Sequence, residues 1–530
     1  MKCNNPKYFI PTLATIVAFP VLVVLLSWLT PDVETWQHFS EYLLGDLIKS
    51  TIILVIGVAL GVMILGTLLA YLVVMVDFPG RQWMEWALFL PFGIPAYVLA
   101  FVYLGVFDYS GYAQTFLRDY IGFPGFDIRS GSWATILTFI LVFYPYVYMM
   151  TRASFMRQKI SMIEAGKLLG AGPVRVFFKI SLPIARPAVA AGVLVTIMET
   201  LADYGVVGLF NYNTFTTAIY SAWIDFRSVE VAAQLASILV ISAFFLIYFE
   251  KKARGKAKYY SSDIYQERPY KASGFLGGLI SFFVLGVFLL AFAMPMLQLV
   301  IWGHEMILEE WNSSYLDLIQ STITLTTLAI IIVIFISTLL ALPNDCKNSL
   351  VSRNLLRVST LGYALPGSVM AVGLLFGVNE ISSFAQIFGL PSINYLIFGS
   401  ITLLVFAYVT RFLAVGFNSI DASVQQIKPV LIDNARLLGA KRGKIIWRVY
   451  LPMMLPGILA ASLLVGVDVM KELPATYLLR PFGWDTLAIK VYELSSEGLY
   501  ERAAVPALIM VAIGALMMLI FRSIDKKITL

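Results

Sequence analysis

The sequence predicts an all-α polytopic membrane protein with about twelve transmembrane helices, arranged as two parallel six-helix repeats. Three observations lead there. Apolar side chains make up 59% of the 530 residues and charged ones only 13%, about half the charged share of soluble domains; mean hydropathy is +0.82. Many apolar runs reach the ~20 residues needed to cross a hydrocarbon core. One unusual polar segment also occurs twice. EAGKLLGAGPVRVFFKISLP (164–183) returns as DNARLLGAKRGKIIWRVYLP (433–452), in constant register from first position to last.

The expected spans are 9–29, 48–76, 86–107, 133–150, 187–210, 231–249, 274–302, 319–343, 361–378, 396–416, 456–480 and 503–522. The fourth and ninth are short, and Pro91, Pro95 and Pro366 are expected to bend their helices. The first run follows Lys2 and Lys7 but is too long for a signal-peptide core, so it reads as a retained anchor. Further echoes share a second constant register: Asp46-Leu-Ile-Lys-Ser-Thr51 with Asp317-Leu-Ile-Gln-Ser-Thr322, and Pro95 with Pro366. An even number of spans per half sets both halves the same way up. The domains are therefore 1–249, a cytoplasmic linker 250–273, and 274–530.

Charge orients the bundle. Stretch 151–186 carries Arg152, Arg157, Lys159, Lys167, Arg175, Lys179 and Arg186 against Glu164 alone. Stretches 250–272 and 418–455 are basic too. Loops 30–47 and 303–318 hold Asp and Glu without Lys or Arg. An excess of Lys and Arg marks cytoplasmic loops, which puts both termini in the cytoplasm of a cell whose inner membrane holds the chain. The net charge of +6 thus reports orientation, not nucleic-acid binding. The two cysteines, Cys3 and Cys346, both fall on that side, and no disulfide framework is expected.

Each repeated loop reads as a short helix, a break, a second short helix and a stop. Glu164 and Asp433 put a carboxylate in the first turn. Leu168-Leu169 and Leu437-Leu438 give an apolar face, Gly170 and Gly439 let the chain turn, and Leu182-Pro183 and Leu451-Pro452 close the element. Apolar groups rimmed by cations suit a groove in a soluble partner; the competing reading, amphipathic loops lying on lipid headgroups, is disfavoured by two copies in register. The spacing resembles the EAA loop of ATP-binding-cassette importer permeases, which implies the type I importer permease fold. On that resemblance Glu164, Ala165, Gly170, Leu182, Pro183, Asp433, Ala435, Gly439, Leu451 and Pro452 couple the chain to two ATPase subunits. The chain departs from the pattern at Gly166, at Asp433-Asn434 and at Val449. It also lacks G-x-x-x-x-G-K-[ST]; the chain is not expected to be an enzyme, and ATP and Mg belong to the partner subunits.

Charged groups within spans are costly and usually face a bundle interior or a water path. Glu199 and Asp203 lie in the fifth span, Asp468 and Glu472 in the eleventh, and the two pairs stand at the register of the repeated loops. Spacing by four places each pair on one helix face, with Glu199 roughly 18 Å along from Pro187. Such carboxylates suit a hard cation on a substrate path; equally they fix packing or gating, with Lys471 neutralising a neighbour. No resident metal is assigned, and His38 and His304 read as ordinary solvated histidines.

MetGluThrLeuAlaAspTyrGly (198–205), AsnThrPheThrThrAlaIleTyr (213–220) and the stretch 471–488 resemble ferric iron permeases of this superfamily. That resemblance implies a ferric cargo delivered by an extracytoplasmic substrate-binding protein, with segments 211–230 and 481–502 placed to meet it. Permeases for thiamine, polyamines and other small solutes are related. An ion-gradient-driven secondary transporter with the four carboxylates as ion sites is the rival from another class.

Overall fold

The computed structural model describes residues 6–158, 160–254, 270–310, 313–342, 355–356, 362, 365–388 and 399–528. Among the described residues the regular structure is helical, apart from a two-residue parallel pairing of Val76–Asp77 with Tyr270–Lys271. Eleven described helices are long and apolar enough to cross a bilayer, and a bent pair brings the number to twelve. This is the all-α polytopic architecture that composition dictates, since helices satisfy their own backbone in lipid.

The bent pair corrects the third expected span. Residues 81–93 and 96–121 meet at 94°, because Pro91 sits in a tight turn over Leu90–Gly93 and Pro95 caps the next helix, Ala96–Phe107. Pro366 likewise caps Gly367–Ile387. These prolines start helices instead of bending them, which spares the missing N–H. The spans expected to be short are of full length: Trp133–Met156 has 24 residues and Gly367–Ile387 has 21. Spans five and eleven end early, at Ala202 and Met470. Of the linker, helix Val229–Arg254 fills the start and Tyr270–Lys271 the end; the stretch between lies outside the described residues.

Small residues set the helix spacing. Gly57 and Gly61 let Leu44–Met75 close on Ile136 and Ile140 of Trp133–Met156, and Gly66 meets Val147 and the Tyr144 carbonyl. Without a hydrophobic drive between helices in lipid, such close approach supplies the van der Waals contact that holds them. The first helix of each half crosses to the other half. Pro6–Leu26 packs on Gly367–Ile387, where Gly373 and Gly377 admit Pro20 and Phe19. Met294–Glu310 packs on Ala96–Phe107, where Gly105 admits Trp302. The two halves are thus interlocked.

Near the basic loops, Glu85 takes Arg81 at 3.0 Å and Arg152, and its backbone carbonyl accepts the Tyr148 hydroxyl at 3.0 Å. This ion triad ties the short helix Arg81–Ala87 to Trp133–Met156.

A side chain at Gly61 has no room. Gly61→Leu should lower the melting temperature of the purified protein, at a cost of about 1–3 kcal/mol for overpacking. Gly286→Leu, where a Cβ meets nothing within 4 Å, should leave it unchanged.

Candidate functional site

The two repeated loops have one architecture. Helix Ile160–Leu168 turns at Gly170, φ +77°, and helix Pro429–Leu437 turns at Gly439, φ +75°. In the first, the Gly170 N–H bonds Lys167 O at 2.9 Å and Ala171 N–H bonds Gly166 O at 3.0 Å. In the second, Gly439 N–H bonds Arg436 O at 2.9 Å and Ala440 N–H bonds Ala435 O at 3.0 Å. These are Schellman turns, whose left-handed residue favours glycine. At their tips Leu168 and Leu169 are 90% and 86% exposed, and Leu437 and Leu438 are 85% and 88% exposed. No described residue of the chain covers them.

The Leu-Pro pairs do not stop the element. Pro183 and Pro452 sit in the first turn of the helices Leu182–Ala202 and Leu451–Met470, where a proline loses no hydrogen bond. One wide π-type turn, Phe177–Ser181 or Ile446–Tyr450, joins each second loop helix to its span. Residues 173–202 and 443–470 therefore run as continuous helices of 30 and 28 residues, about 45 and 42 Å long at a 1.5 Å rise. Each carries a loop at one end and carboxylates at the other.

The carboxylate pairs are arranged differently from expectation. Glu199 and Asp468 lie on the helices, but Asp203 and Glu472 lie just past the helix ends, because the backbone breaks there. A break inside a span frees N–H groups that must be satisfied internally. Asp203 Oδ1 accepts the Val206 N–H at 2.7 Å, and Glu472 Oε1 accepts the Ala475 N–H at 3.0 Å. The same capping thus recurs at equivalent positions of the two repeats.

All four carboxylates line a single cavity of about 70 Å³, together with Arg411, Lys471 and the rings of Phe92, Tyr97 and Tyr146. Its volume suits a few waters or a small ion. Arg411 Nη1 contacts Glu472 Oε1 at 2.6 Å, and Lys471 Nζ contacts Asp468 Oδ1 at 2.9 Å. Asp203 has its backbone donor, and among the described residues no hydrogen bond or ion pair engages the Glu199 carboxylate. Four acids therefore face two cations, and the two acids without an ion pair among the described residues come from the first repeat. Lys471 neutralises Asp468, as one reading of the sequence allowed. Arg411 is the residue that sequence reasoning missed. It is buried mid-helix in Ile401–Gln425, and a lone guanidinium within a span was the available signal. At the register of the repeated loops Val142 stands opposite it, so the repeats differ in charge. Gly367 leaves the space in which Arg411 and Glu472 meet.

Beyond the breaks, away from the loops, lies a cluster of tyrosines from both halves. Tyr204 stacks on Tyr220 at 3.7 Å between ring centroids, 5.3 Å from Tyr492 and 6.0 Å from Tyr477. These four rings border a second cavity of about 470 Å³ that includes Asn211, Asn213, Asp225 and Arg129.

Two exposed loops, each joined by a continuous helix to a broken span at a shared polar cavity, define a membrane permease built to work with separate soluble components. The chain belongs to the family described as binding-protein-dependent transport system inner membrane component, which matches residues 62–250 and 346–530; it is an ATP-binding-cassette importer permease with the domain duplicated. It is similar to the Fe(3+)-transport system permease protein FbpB 2 of Haemophilus influenzae, with 26% identity over 520 residues and 96% of both chains covered. It is also similar to a putative 2-aminoethylphosphonate transport system permease protein, PhnU, of Salmonella choleraesuis, 26% identical across 39% of this chain and 75% of that one. A putative molybdenum transport system permease protein, YvgM, of Bacillus subtilis is 25% identical across 40% of this chain and 94% of that one.

Removing one partner of a buried pair strands the other. Glu472→Ala should destabilise the purified protein by about 3–5 kcal/mol, read as a fall in melting temperature. Glu199→Gln, which breaks no contact, should melt with the wild type.

Proposed function

We propose that this permease imports ferric iron, handed over by a substrate-binding protein at the tyrosine end and driven by two ATPase subunits docked on the paired loops. The observation that carries the cargo assignment is the cavity with two more carboxylates than cations at the junction of the broken spans. A confined excess of negative charge raises the local concentration of a cation, and carboxylate oxygens suit a hard one. The relative described for Fe(3+) transport matches 96% of this chain, whereas the phosphonate and molybdenum relatives match 39% and 40%.

The basic stretches 151–186 and 418–455 set the loop end in the cytoplasm, with both termini on that side. Glu164, Ala165 and Gly170, with Asp433, Ala435 and Gly439, shape the two tips. Leu168-Leu169 and Leu437-Leu438 are the apolar knobs that enter the ATPase subunits. ATP and Mg act there, not in this chain. When ATP draws the subunits together, the tips approach and the continuous helices through Leu182-Pro183 and Leu451-Pro452 carry the motion to Asp203 and Glu472. The cavity then turns from one face of the membrane to the other. Hydrolysis reverses it. Glu199 and Asp203 supply the free charge that meets the cation; Asp468 and Glu472, already paired, hold Lys471 and Arg411 in place.

Two tests separate docking from cargo. Leu168→Asp combined with Leu437→Asp changes only exposed side chains, so the permease should stay folded in the membrane while its ATPase subunits no longer co-purify; full co-purification would contradict the docking role. In vesicles holding the whole complex and its binding protein, ferric iron should accumulate on ATP addition in preference to molybdate, 2-aminoethylphosphonate, thiamine or polyamines. Glu199→Gln with Asp203→Asn should slow that uptake sharply and spare assembly. Wild-type uptake in the variant would remove the carboxylates from the path.

A further inference from the structure

The four tyrosines lie at the junction of the two cavities. Tyr204 follows Asp203 and precedes Gly205, both of which line the carboxylate cavity, yet its own ring borders the second one. Tyr220 donates its hydroxyl to the Pro474 carbonyl at 2.5 Å, and Pro474 also lines the carboxylate cavity. Tyr477 and Tyr492 complete the cluster at 5.8 Å from one another. Each contact of Tyr204 or Tyr220 with Tyr477, Tyr492 or Pro474 joins the first half of the chain to the second. The packing depends on local sequence: Gly208 has no side chain where the Tyr492 hydroxyl lies, since a Cβ there would sit 2.6 Å from it. The guanidinium of Arg480 rests 5.4 Å from the Tyr477 ring centre, an arrangement favourable to the ring's negative face.

We propose that Tyr204, Tyr220, Tyr477 and Tyr492 are the gate of the translocation path on the side away from the loops, and that Asp203 and Glu472 are its positioning residues. The inference rests on the path proposed above and adds residues to it. Large rigid rings from both halves close the path without a covalent link, and tilting the halves apart separates them. Tyr204 and Tyr477 sit one and five residues beyond the capped breaks, so the caps fix where these rings stand. A cation that draws Asp203 toward itself takes the acceptor away from the Val206 N–H and loosens the backbone that carries Tyr204. Cargo in the cavity and the state of the gate are thereby linked through one carboxylate, with the Glu472 cap locked by Arg411 on the other side. The first repeat supplies the responsive element and the second supplies the fixed one.

The test needs no transported solute. In the full complex, with Cys3→Ser and Cys346→Ser, a single Ala202→Cys places a thiol on the carboxylate cavity. A membrane-impermeant methanethiosulfonate reagent is then added from the tyrosine side without ATP. Labelling should be slow with the tyrosines intact. It should speed up at least about tenfold in Tyr204→Ala with Tyr492→Ala, because modification of a shielded thiol follows the population of the open form. Tyr220→Ala with Tyr477→Ala is the second pair, and ATPase co-purification reports that the bundle is intact. Asp203→Ala should speed labelling as well, whereas Asp203→Asn, which keeps an oxygen acceptor for Val206, should leave it slow. Rapid labelling with all four tyrosines in place, or slow labelling in both alanine pairs, would overturn the gate. Equal labelling of Asp203→Ala and wild type would overturn the positioning role. None of these outcomes depends on the cargo being iron, so a different solute in the uptake assay leaves them standing.

Discussion

Helices that stop in the middle of a membrane expose N–H groups that lipid cannot satisfy, and that constraint organises this protein. At both breaks the remedy is a carboxylate three residues before the open donor: Asp203 for Val206 and Glu472 for Ala475. The acids are therefore structural before they are anything else. Placing them there also concentrates charge at the meeting point of the two repeats, where a cavity remains. The residues that cap the breaks are thus among the residues that line the cavity.

The repeats share a backbone plan but not a charge plan. In the second, Arg411 and Lys471 each hold one acid. In the first, Val142 stands at the Arg411 register, and among the described residues no cation forms an ion pair with Glu199 or Asp203. Near the loops the difference runs through packing. Tyr71 packs edge-to-face with Phe155 and Phe177 and donates its hydroxyl to the Pro173 carbonyl at 3.2 Å. The second loop instead rests on a mostly aliphatic cluster that includes Leu340, Ile427 and Ile445, with Phe417 among them. The two loops are thus supported by different packing while keeping the same glycine turn.

Much of this is legible in the sequence. The apolar runs and the constant register of the repeated loops predict the spans and the duplication, and Gly170 and Gly439 mark the turns because only a left-handed residue closes them. The departures have physical reasons. Leu-Pro reads as a stop, yet proline in a first turn starts a helix as readily as it ends one, and only the contiguous backbone distinguishes the two. Spacing by four puts Asp203 beside Glu199 on a helix face, since periodicity carries no sign of where a helix ends. Arg411 escapes a search built on the duplication because the first repeat has no counterpart to it, and its partner lies 61 residues away in sequence. The tyrosine cluster brings together 204, 220, 477 and 492, a long-range meeting that no local pattern announces.

The central claim is that movement of the loop tips is carried by unbroken helices to the capped breaks. Spin labels at Arg175→Cys and Lys444→Cys, equivalent exposed positions in the two loops, measure it directly in the assembled complex. Their separation should shorten when ATP and Mg bind and recover after hydrolysis. A constant separation in a complex that hydrolyses ATP and imports its solute would contradict the account.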